Sequence, residues 1–132
     1  MPSLYREIAS VYGRGCELAL MPIGSYCPRW HLRQQHCDPA DVVRMHLELG
    51  TKRTLGVHYG TWILSDEHYL APPRELRDEA TKEGLEIAVV AGELGRTVVI
   101  PFNDGNERNE ELEAGIELGF VEARDGKCVV WR

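Results

Sequence analysis

The feature that most constrains this chain is a near-continuous apolar run at residues 16–23, Cys-Glu-Leu-Ala-Leu-Met-Pro-Ile. A strand with so little polar alternation is one covered on both faces, and such strands lie centrally in sheets whose connections are helical. The rest of the chain alternates to match. Ser3 is placed to cap a short helix with Leu4, Ile8 and Val11 at helical spacing, which Gly13 and Gly15 end. Asp38-Pro39 supplies an N-cap and a first-turn proline for a second helix, with Val43 and Leu47 on its apolar stripe and Gly50 as its stop. Pro72-Pro73 opens a third, running to Lys82 and closed by Gly84. Strands are predicted at 17–23, 54–58, 85–90 and 96–100, and a hairpin from 120–123 and 127–131 about Arg124-Asp125-Gly126. Residues 24–37 carry no period and read as a long ordered loop, a segment type that often holds function. The fold class is α/β (α+β).

At 132 residues and 43% hydrophobic content there is room for one modest domain. No apolar stretch is long enough to span a membrane, and the N-terminus shows no basic and apolar leader, so a cytoplasmic location is expected. The net charge of −6 argues against a nucleic-acid partner, whose phosphates are held by clustered Lys and Arg. Arg29, Arg33, Lys52 and Arg53 nevertheless gather in the N-terminal half, where peripheral contact with a membrane surface is open to them. Cys16, Cys27, Cys37 and Cys128 show no Cys-x-x-Cys spacing and read as free thiols. Glu107, Glu110, Glu111 and Glu113 have no apolar surroundings to shift their pKa values, so they read as a solvated face rather than an acid–base pair.

Four blocks carry a more specific signal: Met21-Pro22-Ile23-Gly24-Ser25-Tyr26-Cys27-Pro28-Arg29-Trp30, Gln35-His36-Cys37-Asp38-Pro39, Gly56-Val57-His58-Tyr59-Gly60-Thr61-Trp62, and Asp66-Glu67-His68-Tyr69-Leu70 before Pro72-Pro73. Their order and spacing resemble the N-acyl-phosphatidylethanolamine-hydrolysing phospholipase D family of metallo-β-lactamase-fold hydrolases. Several matched blocks in fixed order are far more specific than any one of them. The resemblance covers residues 1–100. It implies the C-terminal half of an αββα sandwich, a mixed sheet with helices mainly on one face. Residues 101–132, an acidic linker or helix and a hairpin, resemble nothing recognised.

The resemblance also implies a two-metal site, usually zinc, and a phospholipid-like phosphodiester as substrate of the complete protein. The family's His-x-His-x-Asp-His cluster and its bridging aspartate do not occur in this sequence. What carries over is the last metal-ligating histidine, which falls on His58. Independently, an imidazole at a strand end before a glycine turn is held stiffly and aimed outward, as a ligand must be. The resemblance places Tyr59 and Thr61 around that ligand, and Gln35 and His36 near the substrate head group. Arg29 is a candidate for lipid phosphate. Trp30 is a candidate for the lipid interface, although core packing is the plainer expectation for it. His31, His36, His46 and His68 are too scattered in sequence to establish a substitute cluster, and His46 reads as a partly exposed helical residue. One ligand cannot hold zinc, so the chain alone is expected to be inactive. Its bare sheet face is expected to drive self-association. The alternative is a noncatalytic remnant or truncated product that serves as a binding or scaffold module.

Overall fold

In the computed structural model, residues 3–95 and the backbone of two later strands are described. The chain divides into two units, Met1–Ala91 and Gly92–Arg132. The first opens with α1 (Leu4–Tyr12), capped by Ser3, whose hydroxyl accepts from the Arg6 amide at 3.4 Å. Gly13, at φ 88°, ends the helix in a conformation other residues rarely adopt. The same Ser3 hydroxyl donates to the Glu48 carboxylate, and Arg6 lies 3.7 Å from it, which docks α1 on the next long helix.

Strand β1 covers Ala19–Pro22, shorter than the 17–23 expected. The chain bends at Glu17, whose carboxylate meets Lys52, before the ladder begins with the Ala19 amide donating to the Arg53 carbonyl. Within the segment expected to be loop throughout, Arg29–Leu32 forms a single helical turn, α2. Helix α3 (Pro39–Leu49) follows with a complete capping box: the Asp41 amide donates to Asp38 at 2.8 Å and the Asp38 amide to Asp41 at 3.4 Å. Pro39 stands in its first turn, and Gly50 closes it at φ 64°. Its buried face is Val42, Val43, Met45 and His46, while Leu47 points outward.

Strand β2 (Thr54–Val57), helix α4 (Ala71–Lys82) and strand β3 (Val89–Ala91) complete the unit. The expected strand at 85–90 starts four residues late, because Leu85 is spent on a turn. Its amide caps α4 by donating to Ala80, and its carbonyl accepts from Ala88 and Val89. The sheet order is β1-β2-β3, with Ala19, Thr54 and Val89 in one register row. Both pairings are parallel rather than mixed, an arrangement that the helical connections between the strands allow. The expected strand at 96–100 and the acidic segment at 107–113 lie outside the described residues. In the second unit, β4 (Val121–Arg124) and β5 (Lys127–Val130) pair antiparallel, with Arg124 opposite Lys127.

Helices α3 and α4 pack on each other, α3 also on β1 and α4 on β3, and bury one face of the sheet. The core between them is Ile23, Val42, Val43, Leu76, Ala80 and Val89. Gly56 lets the layers close: a Cβ there would meet Ile23 Cδ1 at 2.9 Å and Leu76 Cδ2 at 3.0 Å. On the alternate face Leu20 is 60% exposed and stands in one row with half-buried Leu55 and Val90. Ala19 and Ile23 both donate to β2, so by strand alternation Leu20 and Pro22 turn their backbone groups to the outer edge.

His46, expected to be partly exposed, is 5% exposed. Its Nδ1 lies 2.8 Å from the Thr51 hydroxyl and 3.0 Å from that of Thr54, so the ring ties the end of α3 to the start of β2. Burial lowers its pKa below the usual histidine value. The neutral ring therefore belongs to the folded state, and its contribution is complete above the unfolded value of about 6.5 and lost as pH falls through the folded one. Urea unfolding should show stability declining below about pH 6.5. His46→Asn, which keeps an acceptor near Nδ1 but does not titrate, should remove that part of the slope.

Candidate functional site

Parallel pairing brings the C-terminal ends of β1 and β2 level, with Pro22 opposite Val57, so the loops that follow them leave the sheet side by side. In open α/β sheets that end is where ligands bind. A cavity of about 210 Å³ lies between these loops, with Gly24, Ser25, His58 and Glu67 among its lining residues. Trp62, Ile63, Leu64, Tyr69 and Pro72 add an apolar wall.

His58 is the first residue after β2 and is exposed, with φ at 61°. The left-handed region is uncommon for a side-chain-bearing residue and persists where the surroundings dictate it. What dictates it here is close packing from the neighbouring strand. The Ile23 amide donates to the Val57 carbonyl at 2.9 Å, and Gly24 lies directly on the next peptide. A Cβ on Gly24 would collide with the His58 carbonyl oxygen and come within 3.2 Å of Tyr59 Cα.

The loop after β1 is stitched to the segment before α4. Glu67 accepts from the amides of Ser25 at 2.6 Å and Cys27 at 3.0 Å and from the Ser65 hydroxyl at 2.6 Å. Burial alone would raise its pKa. The bonds from Ser65, Cys27, its own amide and Ser25 outweigh that, and the carboxyl is held below the usual value. Beside it, the buried Tyr26 hydroxyl donates to Glu75 of α4 at 2.6 Å. Burial first, then that carboxylate, drives the phenol pKa far upward. Burial likewise raises the Cys27 and Cys37 thiols, with Glu67 and Asp41 respectively the next cause, so neither is poised as a thiolate nucleophile.

Of the residues singled out by sequence, His58, Tyr59 and Thr61 meet at the cavity. His36 comes from the far side of α2, its ring centroid 6.3 Å from that of His58, and Gln35 beside it is exposed. All three guanidinium nitrogens of Arg29 are engaged: Nε with Asp38 at 2.6 Å, Nη1 with the His36 carbonyl at 2.9 Å, and Nη2 with Asp41. The expectation of core packing for Trp30 does not hold. It is 82% exposed on the one-turn helix, its ring lying beside that of His31 with centroids 5.5 Å apart. Among the described residues, no three His, Cys, Asp or Glu side chains converge to hold a metal. Sequence reading gave no role to Glu67, Tyr26 or Glu75. Ser65 apart, their partners lie 40 to 49 residues away, beyond any local pattern.

Over 94 residues the chain is 39% identical to the N-acyl-phosphatidylethanolamine-hydrolyzing phospholipase D, mitochondrial, of Saccharomyces cerevisiae; this covers 71% of the chain and 20% of that protein. It is 32% identical over 84 residues to N-acyl-phosphatidylethanolamine-hydrolyzing phospholipase D 1 of Caenorhabditis elegans, covering 59% of the chain and 24% of the relative. The resemblance read from the sequence blocks is thus a measured similarity to that enzyme. The matched region amounts to a fifth to a quarter of each relative's length. No protein-family model matches the chain. No helix among the described residues is long and apolar enough to cross a membrane.

Because the atoms opposing Gly24 are backbone, they cannot rotate away from an added methyl. Gly24→Ala should therefore cost about 1–3 kcal/mol, the usual penalty of overpacking. It should also displace the His58 and Tyr59 amide resonances more than those of the core at Leu76, as read by urea titration and amide NMR.

Proposed function

We propose that this chain is the C-terminal half of a metal-dependent hydrolase of the metallo-β-lactamase type. In the complete protein it would act on a phosphodiester such as that of N-acyl-phosphatidylethanolamine. The observation that carries the reading is the position of His58. The residue singled out by resemblance as a metal ligand stands exposed at the level strand ends, in a cavity shared with Gly24 and Tyr59. The two relatives, named for hydrolysing N-acyl-phosphatidylethanolamine, support the substrate class.

Zinc is the cofactor of this reading, and the residues described do not make a site for it. A catalytic zinc takes about three protein ligands, whereas His58 has one ring neighbour, His36, at 6.3 Å. The remaining ligands belong to another polypeptide segment, and the chain alone does not catalyse. Tyr59 and Thr61 orient the His58 turn. Gln35 and His36 face the head group, and Arg29 positions them through the His36 carbonyl. The exposed Trp30 suits a lipid–water interface, where an indole can bury its ring and keep its N–H wet.

A second reading, a noncatalytic binding or scaffold module, is favoured by the same lack of a three-ligand cluster among the described residues. The two part in one experiment: zinc content and hydrolysis of a chromogenic phosphodiester, for the chain alone and mixed with a polypeptide carrying the N-terminal part of the yeast relative. The hydrolase reading expects neither stoichiometric zinc nor turnover from the chain alone. It expects turnover from the mixture, cut by at least about 100-fold in His58→Ala, the upper end of what losing even an outer metal partner costs. A mixture without turnover favours the binding module. Turnover by the chain alone overturns both.

The row of exposed Leu20 and half-buried Leu55 and Val90 is the surface that, in this reading, meets a second sheet about 10 Å away. Left uncovered, it should self-associate. Sedimentation should show a mass rising with concentration, and Leu20→Lys should shift the chain toward monomer.

A further inference from the structure

We infer that Glu67 is the positioning residue of this site: its carboxylate fixes the loop after β1 in the shape that holds His58 in place. The inference rests on reading His58 as the working group of the cavity, but its geometry stands by itself. Two side-chain-bearing residues here have positive φ, Ser25 at 63° and His58 at 61°, and Gly24 lies between them in space. In a turn that includes a left-handed residue, successive amides can point inward and bind an anion. The Ser25 and Cys27 amides both point at Glu67, whose carboxylate is the anion they hold.

Neither amide belongs to a strand or helix, so the carboxylate supplies the acceptor that regular structure does not. Were Ser25 to relax to negative φ, the Gly24 peptide would swing. The close fit against the His58 carbonyl and Tyr59 Cα would then open. Glu67 acts through this contact and not on a substrate. One oxygen accepts from Ser25, and the other from both Cys27 and Ser65, so both are occupied. Glutamine could not replace it, because its amide group would turn a donor toward donors.

The test uses NMR of the isotope-labelled chain, with neither metal nor substrate, so its outcome is separate from that of the hydrolysis experiment. In the wild type, the Ser25 and Cys27 amides should exchange with solvent about tenfold more slowly than free loop amides, the ratio one net hydrogen bond supports. In E67Q that protection should vanish and the His58 ring resonances should move, while those of the buried His46 ring stay. Ser65→Ala, which removes a donor but spares both amide bonds, should leave His58 unmoved. Should E67Q not fold, E67Q combined with Ser25→Gly replaces it. Glycine adopts positive φ freely, so the double variant should fold with His58 near its wild-type resonances. Free-loop exchange at Ser25 and Cys27 in the wild type overturns the inference, whatever the variants do. So does a folded E67Q with unmoved His58, or a double variant that fails to restore folding and the His58 signals.

Discussion

The pairing of β1 with β2 is the interaction on which the rest of this unit depends. Because the strands run parallel and in register to their last residues, Pro22 against Val57, two loops far apart in sequence begin beside each other. Everything in the cavity follows from that start. Gly24 packs on His58, the Ser25 and Cys27 amides meet Glu67 of the segment returning toward α4, and Tyr26 reaches Glu75. The pairing in turn depends on small side chains beneath it. Gly56 leaves room for Ile23 and Leu76, both fully buried, so the helical layer can approach the strands closely.

Much of the scaffold was legible because its signals are local. Asp38-Pro39 and Gly50 bound α3 as read, and Pro72-Pro73 with Gly84 bracket α4. The strands were found but misjudged in length. An apolar run marks which residues prefer burial, not where hydrogen bonds start, and those are diverted by the bend at Glu17 and the turn at Leu85. The parallel arrangement was hidden for a related reason: strand direction is a property of connections. His46 was misread because one helical face looks much like another until the Thr51 and Thr54 hydroxyls are placed against it.

The lining of the candidate cavity was legible in one part and opaque in another. His58 was singled out through the resemblance and through its position before Gly60, and it lines one cavity with Tyr59 and Thr61. The means of holding it was not visible. Glu67 sits in a polar stretch that reads as ordinary loop, and its role appears only when residues 40 and 42 positions earlier fold over it. Arg29 shows the converse. A cation beside a candidate site invites a phosphate-binding role, yet its charge is shared between Asp38 and Asp41, and it braces the turn that carries His36.

Pro22 has a consequence for the growth of assemblies. Strand β1 is an edge of the described sheet, and Pro22 belongs to the alternation whose backbone groups face away from β2. An incoming strand seeking to extend the ladder would find an amide hydrogen missing there, with a ring in its place. Lateral, fibril-like propagation along this edge is thereby interrupted close to its end, whereas stacking on the apolar row of Leu20, Leu55 and Val90 is unaffected. On this side of the described sheet, addition of a further strand is thus opposed by the backbone itself, whatever the side chains on the sheet's face would favour.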